Sequence, residues 1–172
     1  MEEKSVGMKG VIVFLLIFLV LGGLAGYFFY KNYNAQSETN EELINPVSDL
    51  NINEAVSQFD SSFVRYLLYS IGAERLHNPP LSSDTPKIEV DVGGEIYNAV
   101  VKKGVISVGK GGMDLKDMII TTTKEEAVLM MEDQDYAKES FKSGKSQITL
   151  IAGKTSLFLK GYLDLYNQLT EG

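Results

Sequence analysis

The chain has 172 residues, no cysteine, and 16 basic against 23 acidic side chains, for a net charge of −7. With a single histidine as well, it excludes disulfide scaffolds, thiolate or His-rich metal centres and cysteine nucleophiles. The acidic balance has the wrong sign for a general nucleic-acid binder. At 44% apolar and 23% charged residues the length suits one domain with an appendage.

Residues 1–10 form a short N-terminal segment carrying Lys4 and Lys9. Val11–Tyr30 then runs without a charge. As a helix rising about 1.5 Å per residue, it spans about 30 Å, the thickness of a bilayer's hydrocarbon core. This predicts a single transmembrane helix, with Tyr27 and Tyr30 at the interface. Lysines before the span favour a cytoplasmic N-terminus and an extracytoplasmic C-terminal domain. Gly23-Leu24-Ala25 offers a signal-peptidase spacing as the competing fate, and a prepilin-type cut after Gly10 is a further alternative. Gly22 and Gly26 give a GxxxG pair through which two helices can associate.

Residues 31–50 are polar and contain Pro46, which reads as a stalk; residues 51–172 are then the folded domain. Asn53 is expected to cap one helix from Glu54 to about Leu76, with Val56, Phe59, Phe63, Leu67 and Ile71 on its apolar stripe. His77–Pro86 reads as a loop. From Lys87 the period becomes two, giving strands over Lys87–Val92, Glu95–Lys102, Val105–Val108 and Asp117–Thr122, read as a four-stranded antiparallel meander. Thr123 caps a helix, a second short helix runs to Lys142, and Ser146–Ile151 is a fifth strand. A closing helix is expected over Thr155–Leu169. The fold class is therefore α+β, a five-stranded mostly antiparallel sheet covered by helices and preceded by one transmembrane helix.

No catalytic constellation emerges. Gly104–Gly111 matches GxxxxGK but has Gly111 where a magnesium-binding hydroxyl belongs, and its interior is a strand pattern. His77 has no partner in sequence for serine catalysis, and Asp114, Asp117, Asp133 and Asp135 follow no calcium-loop pattern. The expectation is a non-enzyme with no cofactor and no metal. The second half is rich in pliable apolar side chains that suit either an ordinary core or an irregular apolar cavity.

Particular residues accompany this order of elements: Lys102–Gly109 (KKGVISVG), Asp117–Met131 (DMIITTTKEEAVLMM), Phe141–Lys145 and the Leu/Phe-rich closing helix. Together they resemble the sterol carrier protein type 2 family over about Asn51–Leu169. The resemblance implies a helix-covered sheet enclosing a lipid tunnel partly closed by the C-terminal helix. It also implies non-enzymatic binding or transfer of a fatty acyl or sterol-like ligand. The cavity positions it suggests are Met118, Ile120, Met130, Met131, Phe141, Leu150, Phe158, Tyr162 and Leu165. Two departures stand against it: family members are soluble and intracellular, and Ile151-Ala152-Gly153 replaces a more usual Gly-Asp. The chain is thus expected to be a membrane-anchored lipid-binding domain with the bilayer as partner. The alternative is a structural surface protein, either a pilin-like filament subunit or an accessory subunit of a membrane complex.

Overall fold

The computed structural model describes residues 43–171. The expected membrane helix, its orientation and its self-association lie outside the described residues, as does most of the stalk. Among the described residues no helix is long and apolar enough to cross a membrane. The fold takes in part of the expected stalk, because Val47 is buried in the core and Leu50 packs against it.

Helix α1 spans Ile52–Ser57 and α2 spans Ser61–Ser70, where one helix was expected. Asn51, not Asn53, starts α1: its side chain accepts from Glu54 N–H at 3.1 Å while its own N–H donates to the Glu54 carboxylate at 3.1 Å. Asp60 starts α2 by accepting from the N–H groups of Ser62 and Phe63. The first helix closes at Gln58, and two residues on a carboxylate taking two amide donors begins the next. The stripe survives the break because the Phe59 and Phe63 rings lie 5.2 Å apart across it. Gly72, at φ 86°, ends α2 and leads to a 3-10 turn at Ala73–Arg75.

The sheet comprises β1 (Lys87–Val92), β2 (Glu95–Lys102), β3 (Val105–Lys110), β4 (Met118–Thr122) and β5 (Gln147–Leu150). Its order is β3-β2-β1-β4-β5. Three pairings are antiparallel, but β4 pairs with β1 in parallel, Ile88 opposite Met118 and Val92 opposite Thr122. The expected four-stranded meander is therefore corrected to three strands and a crossover. Since β3 and β4 run the same way with two strands between them, residues 111–117 must cross roughly 14 Å of sheet, three strand spacings. Glu89 makes this possible. It points away from the face of Ile88, Val90 and Val92, is buried, accepts from Met113 N–H at 3.2 Å and pairs with Lys116. Asn98 adds a hydrogen bond to the Gly111 carbonyl at 3.0 Å.

The hydrogen bond from Lys116, joined by the Met113 amide, holds the Glu89 carboxyl below the usual range. Lys160 does the same to Asp84. A carboxylate with a depressed folded pKa stabilises the fold above its unfolded value near 4 and loses that contribution as pH falls through the folded one. Stability should therefore hold on the neutral side and decline below about pH 4. Glu89→Ala should cost about 1–3 kcal/mol at pH 7 and flatten the acid limb, as read by urea titrations at several pH values.

Helix α3 (Lys124–Glu132) starts at Thr123, whose hydroxyl accepts from Glu126 N–H, and α4 (Gln134–Lys142) starts at Asp133. The closing helix is also two: α5 (Lys154–Leu159) and α6 (Tyr162–Thr170), separated by Gly161 at φ 84°. A side chain is strained in that backbone region and glycine is not. The helices cover the face of the sheet bearing Ile88, Val90, Tyr97, Ala99, Met118 and Ile120, all in one continuous core.

Candidate functional site

Strand alternation aims Met118 and Ile120 of β4 at the helices, and the capped helix α3 adds Met130 and Met131. Phe141 from α4 and Tyr162 and Leu165 from α6 join the same buried cluster, with Leu150 half-buried against it. Eight of the nine sequence-predicted positions therefore fall in or against one apolar layer between sheet and helices. Phe158 does not: it is 67% exposed. The break at Gly161 resets the helical phase, so Phe158 and Tyr162 do not share a face, and Leu157 is the buried residue of α5.

A polar network absent from the sequence reading sits at the foot of α6. Lys160, 1% exposed, reaches both carboxylate oxygens of Asp117 at 3.0 Å, Asp84 at 2.8 Å and the Thr85 carbonyl at 3.4 Å. Asp117 also accepts from Lys87 N–H at 2.9 Å and from the Tyr162 hydroxyl at 3.1 Å. Burial, and next the Asp117 charge, push the Tyr162 hydroxyl far up, so it remains a donor. The Lys160 carbonyl accepts from His77 N–H at 3.2 Å. The α5–α6 junction is thus fastened to the starts of β1 and β4. In the sequence Asp117 reads as the residue opening a strand and as one of several loose acids, with nothing to link it to a lysine, and Lys160 carries no signal beyond its place before Gly161.

On another side of that junction lies a pocket of about 180 Å³ lined by Gly72, Arg75, Leu76, His77, Gly161, Asp164, Leu165 and Gln168. Pockets for drug-sized ligands hold about 300–1,000 Å³, so this one suits only a small group. Of the predicted cavity residues, Leu165 alone lines it. At the opposite end of the sheet, Thr122, Ser146 and Ser140 form a chain of buried hydroxyls with 2.8 Å links, ending on Glu126 at 2.9 Å. It ties α3, α4 and β5 together. Among the described residues no three His, Cys, Asp or Glu side chains come together to hold a metal.

No family model and no curated protein matches the sequence. Among solved structures, the chain is similar to "UbiJ-SCP2 Ubiquinone synthesis protein" at 10% identity and a TM-score of 0.35, over 69% of this chain and 88% of that one. It is similar to sterol carrier protein 2 from Yarrowia lipolytica, apo form, at 15% identity and a TM-score of 0.30, over 70% and 88%. A sec-alkyl sulfatase double mutant scores 0.31 at 11% identity, with only 16% of its length covered. Likenesses this low, to proteins as different as a sterol carrier protein and a sulfatase, decide neither family nor function.

Proposed function

We propose that this chain is a membrane-anchored, non-enzymatic lipid-binding or lipid-transfer domain, taking an acyl chain or sterol-like ligand between its sheet and helices. The observation that carries the reading is the layer under α3, α4 and α6, where Met118, Met130 and Met131 meet large apolar residues in one continuous cluster. Methionine is unbranched and adaptable, so such a layer can yield to an inserted chain at low strain. Each buried CH₂ then contributes about 0.8 kcal/mol. Gly161, at φ 84°, separates α6 from α5, and the Lys160–Asp117 pair beside it holds the start of α6 against the sheet. The anchor at Val11–Tyr30 keeps the domain at high local concentration beside its lipid.

The second reading, a structural surface protein with a solid core, is favoured by how completely the layer is filled: Met118 and Met130 are 0% exposed. A fluorescent acyl probe separates the two. Saturable binding to the domain, competed by unlabelled fatty acid and weakened by Met130→Trp, supports the carrier. Probe that stays in water at all protein concentrations supports the solid core.

A further inference from the structure

We infer that the end of the sheet where β1, β3 and β4 begin docks onto the surface of an anionic bilayer. Among the described residues eight large hydrophobic side chains are exposed, and five of them gather at this end: Leu81, Val105, Leu115, Ile151 and Phe158. The hydrogen-bond pattern places them together. Val105 opens β3, Leu115 lies two residues before Asp117, Ile151 N–H bonds the Asp117 carbonyl at 2.8 Å, and Leu81 and Phe158 lie close in the chain to Asp84 and to Lys160, the cation that Asp84 and Asp117 share.

Leu81 is the most telling. Its loop makes a turn closed by Ser82 N–H to the Pro79 carbonyl at 3.1 Å, with Pro80 second and Leu81 third at φ 60°. That position ordinarily takes glycine or asparagine, and a leucine there is both strained and fully in water. Neither cost serves the fold.

Charge selects the occupant. Exposed Lys102 and Lys103 form the β2–β3 turn at this same end and Lys154 opens α5, although the chain as a whole carries −7. Asp84 and Asp117 are balanced here by two cations, Lys160 between them and Lys87 at 4.0 Å from Asp84, which leaves Asp114 and Asp164 as exposed acids without a lysine partner among the described residues. The other end, at the Gly93-Gly94 turn, is more evenly balanced: Asp91 and Glu125 lie there, and Glu95 pairs with Lys110 and Lys124. Apolar tips among lysines suit an anionic headgroup layer, where each lysine near the surface gains attraction and the tips reach the acyl boundary. The chain also supplies the proximity. Residues 31–42, at about 3.3–3.6 Å each, hold the described domain within roughly 40 Å of a bilayer entered by Val11–Tyr30. The inference rests on that anchor reading and goes beyond it by naming the contact face.

The absence of cysteine makes the test clean, because one introduced thiol is unique. Full-length Leu81→Cys, Phe158→Cys and, as control at the far end of β5, Gln147→Cys are labelled with an environment-sensitive dye. Each is then reconstituted into phosphatidylcholine vesicles with and without phosphatidylglycerol. In anionic vesicles the labels at 81 and 158 should shift to the blue and be quenched several-fold more by spin-labelled lipid than the label at 147. Lys102→Glu with Lys103→Glu, or high salt, should reverse most of that difference. Flotation of the same vesicles reads the anchor separately. A chain that floats with all three labels in water overturns the docking alone; a chain that does not float overturns the anchor and this inference with it.

Discussion

Lys160→Met should destabilise the domain by about 3–5 kcal/mol, because it strands a buried carboxylate without its cation. Asp117 is the hub: two contacts from Lys160, the Lys87 amide and the Tyr162 hydroxyl converge on it. With the ammonium gone, desolvation of that charge is uncompensated. Converting Asp117 to Asn in the same chain should recover much of the loss, since the Asn carbonyl still accepts from Lys87 N–H and carries no charge. Asp84, half in water, should matter far less, and Asp84→Asn should cost below about 1 kcal/mol. Urea unfolding of the three variants by circular dichroism checks the ranking. A Lys160→Met cost as small as that of Asp84→Asn would show that the network does not fasten the α5–α6 junction.

Met130→Ala should cost about 2–5 kcal/mol, the range for removing a large aliphatic side chain from a packed interior. Met130 is wholly buried on α3, so the space it vacates lies inside the core cluster. The lipid-binding reading adds a second expectation. A ligand that occupies this layer restores stability by mass action, about 2.7 kcal/mol at a hundredfold excess over its Kd. Thermal unfolding with and without fatty acid should therefore show a larger ligand-induced rise in Tm for Met130→Ala than for the parent. An equal absence of ligand effect in both would place the loss in packing alone.

Much of the architecture was legible because it is written in local chemistry. Gly93-Gly94 between alternating segments specified a two-residue hairpin, both glycines having positive φ. Thr123 before Lys-Glu-Glu specified a helix start. The two misread helices share a cause, that hydrophobic periodicity can run through a break. Phe59 and Phe63 stay in register across Asp60, and Phe158, Tyr162 and Leu165 look like one face across Gly161. In both places a single short-range residue overrode the pattern. The parallel β1–β4 pairing was hidden for another reason. Nothing in the alternation of β4 says which strand it joins, and its position depends on Glu89, one of two acids in the β1 pattern, holding the crossover by Lys116.

The site was legible in its apolar part and not in its polar part. Met118, Ile120, Met130 and Leu165 follow from alternation and helical spacing. Lys160 does not, because a lysine at a helix end reads as a solvated charge until Asp117 and Asp84 are brought to it from 43 and 76 positions away in the chain. The same network gives the domain its two distinct regions. It closes the end of the sheet to which the lysines and exposed apolar tips belong, and it holds the first turn of α6 over the methionine-containing layer.

The most direct test of the lipid-binding claim is native mass spectrometry of residues 43–172, which carry their own core, purified from cells without detergent. The account predicts a reproducible added mass that extraction identifies as an acyl or sterol-like lipid, and its loss in Met130→Trp. A mass equal to that of the bare polypeptide, unchanged by a panel of such lipids, would contradict it and leave a solid-core surface protein as the standing explanation.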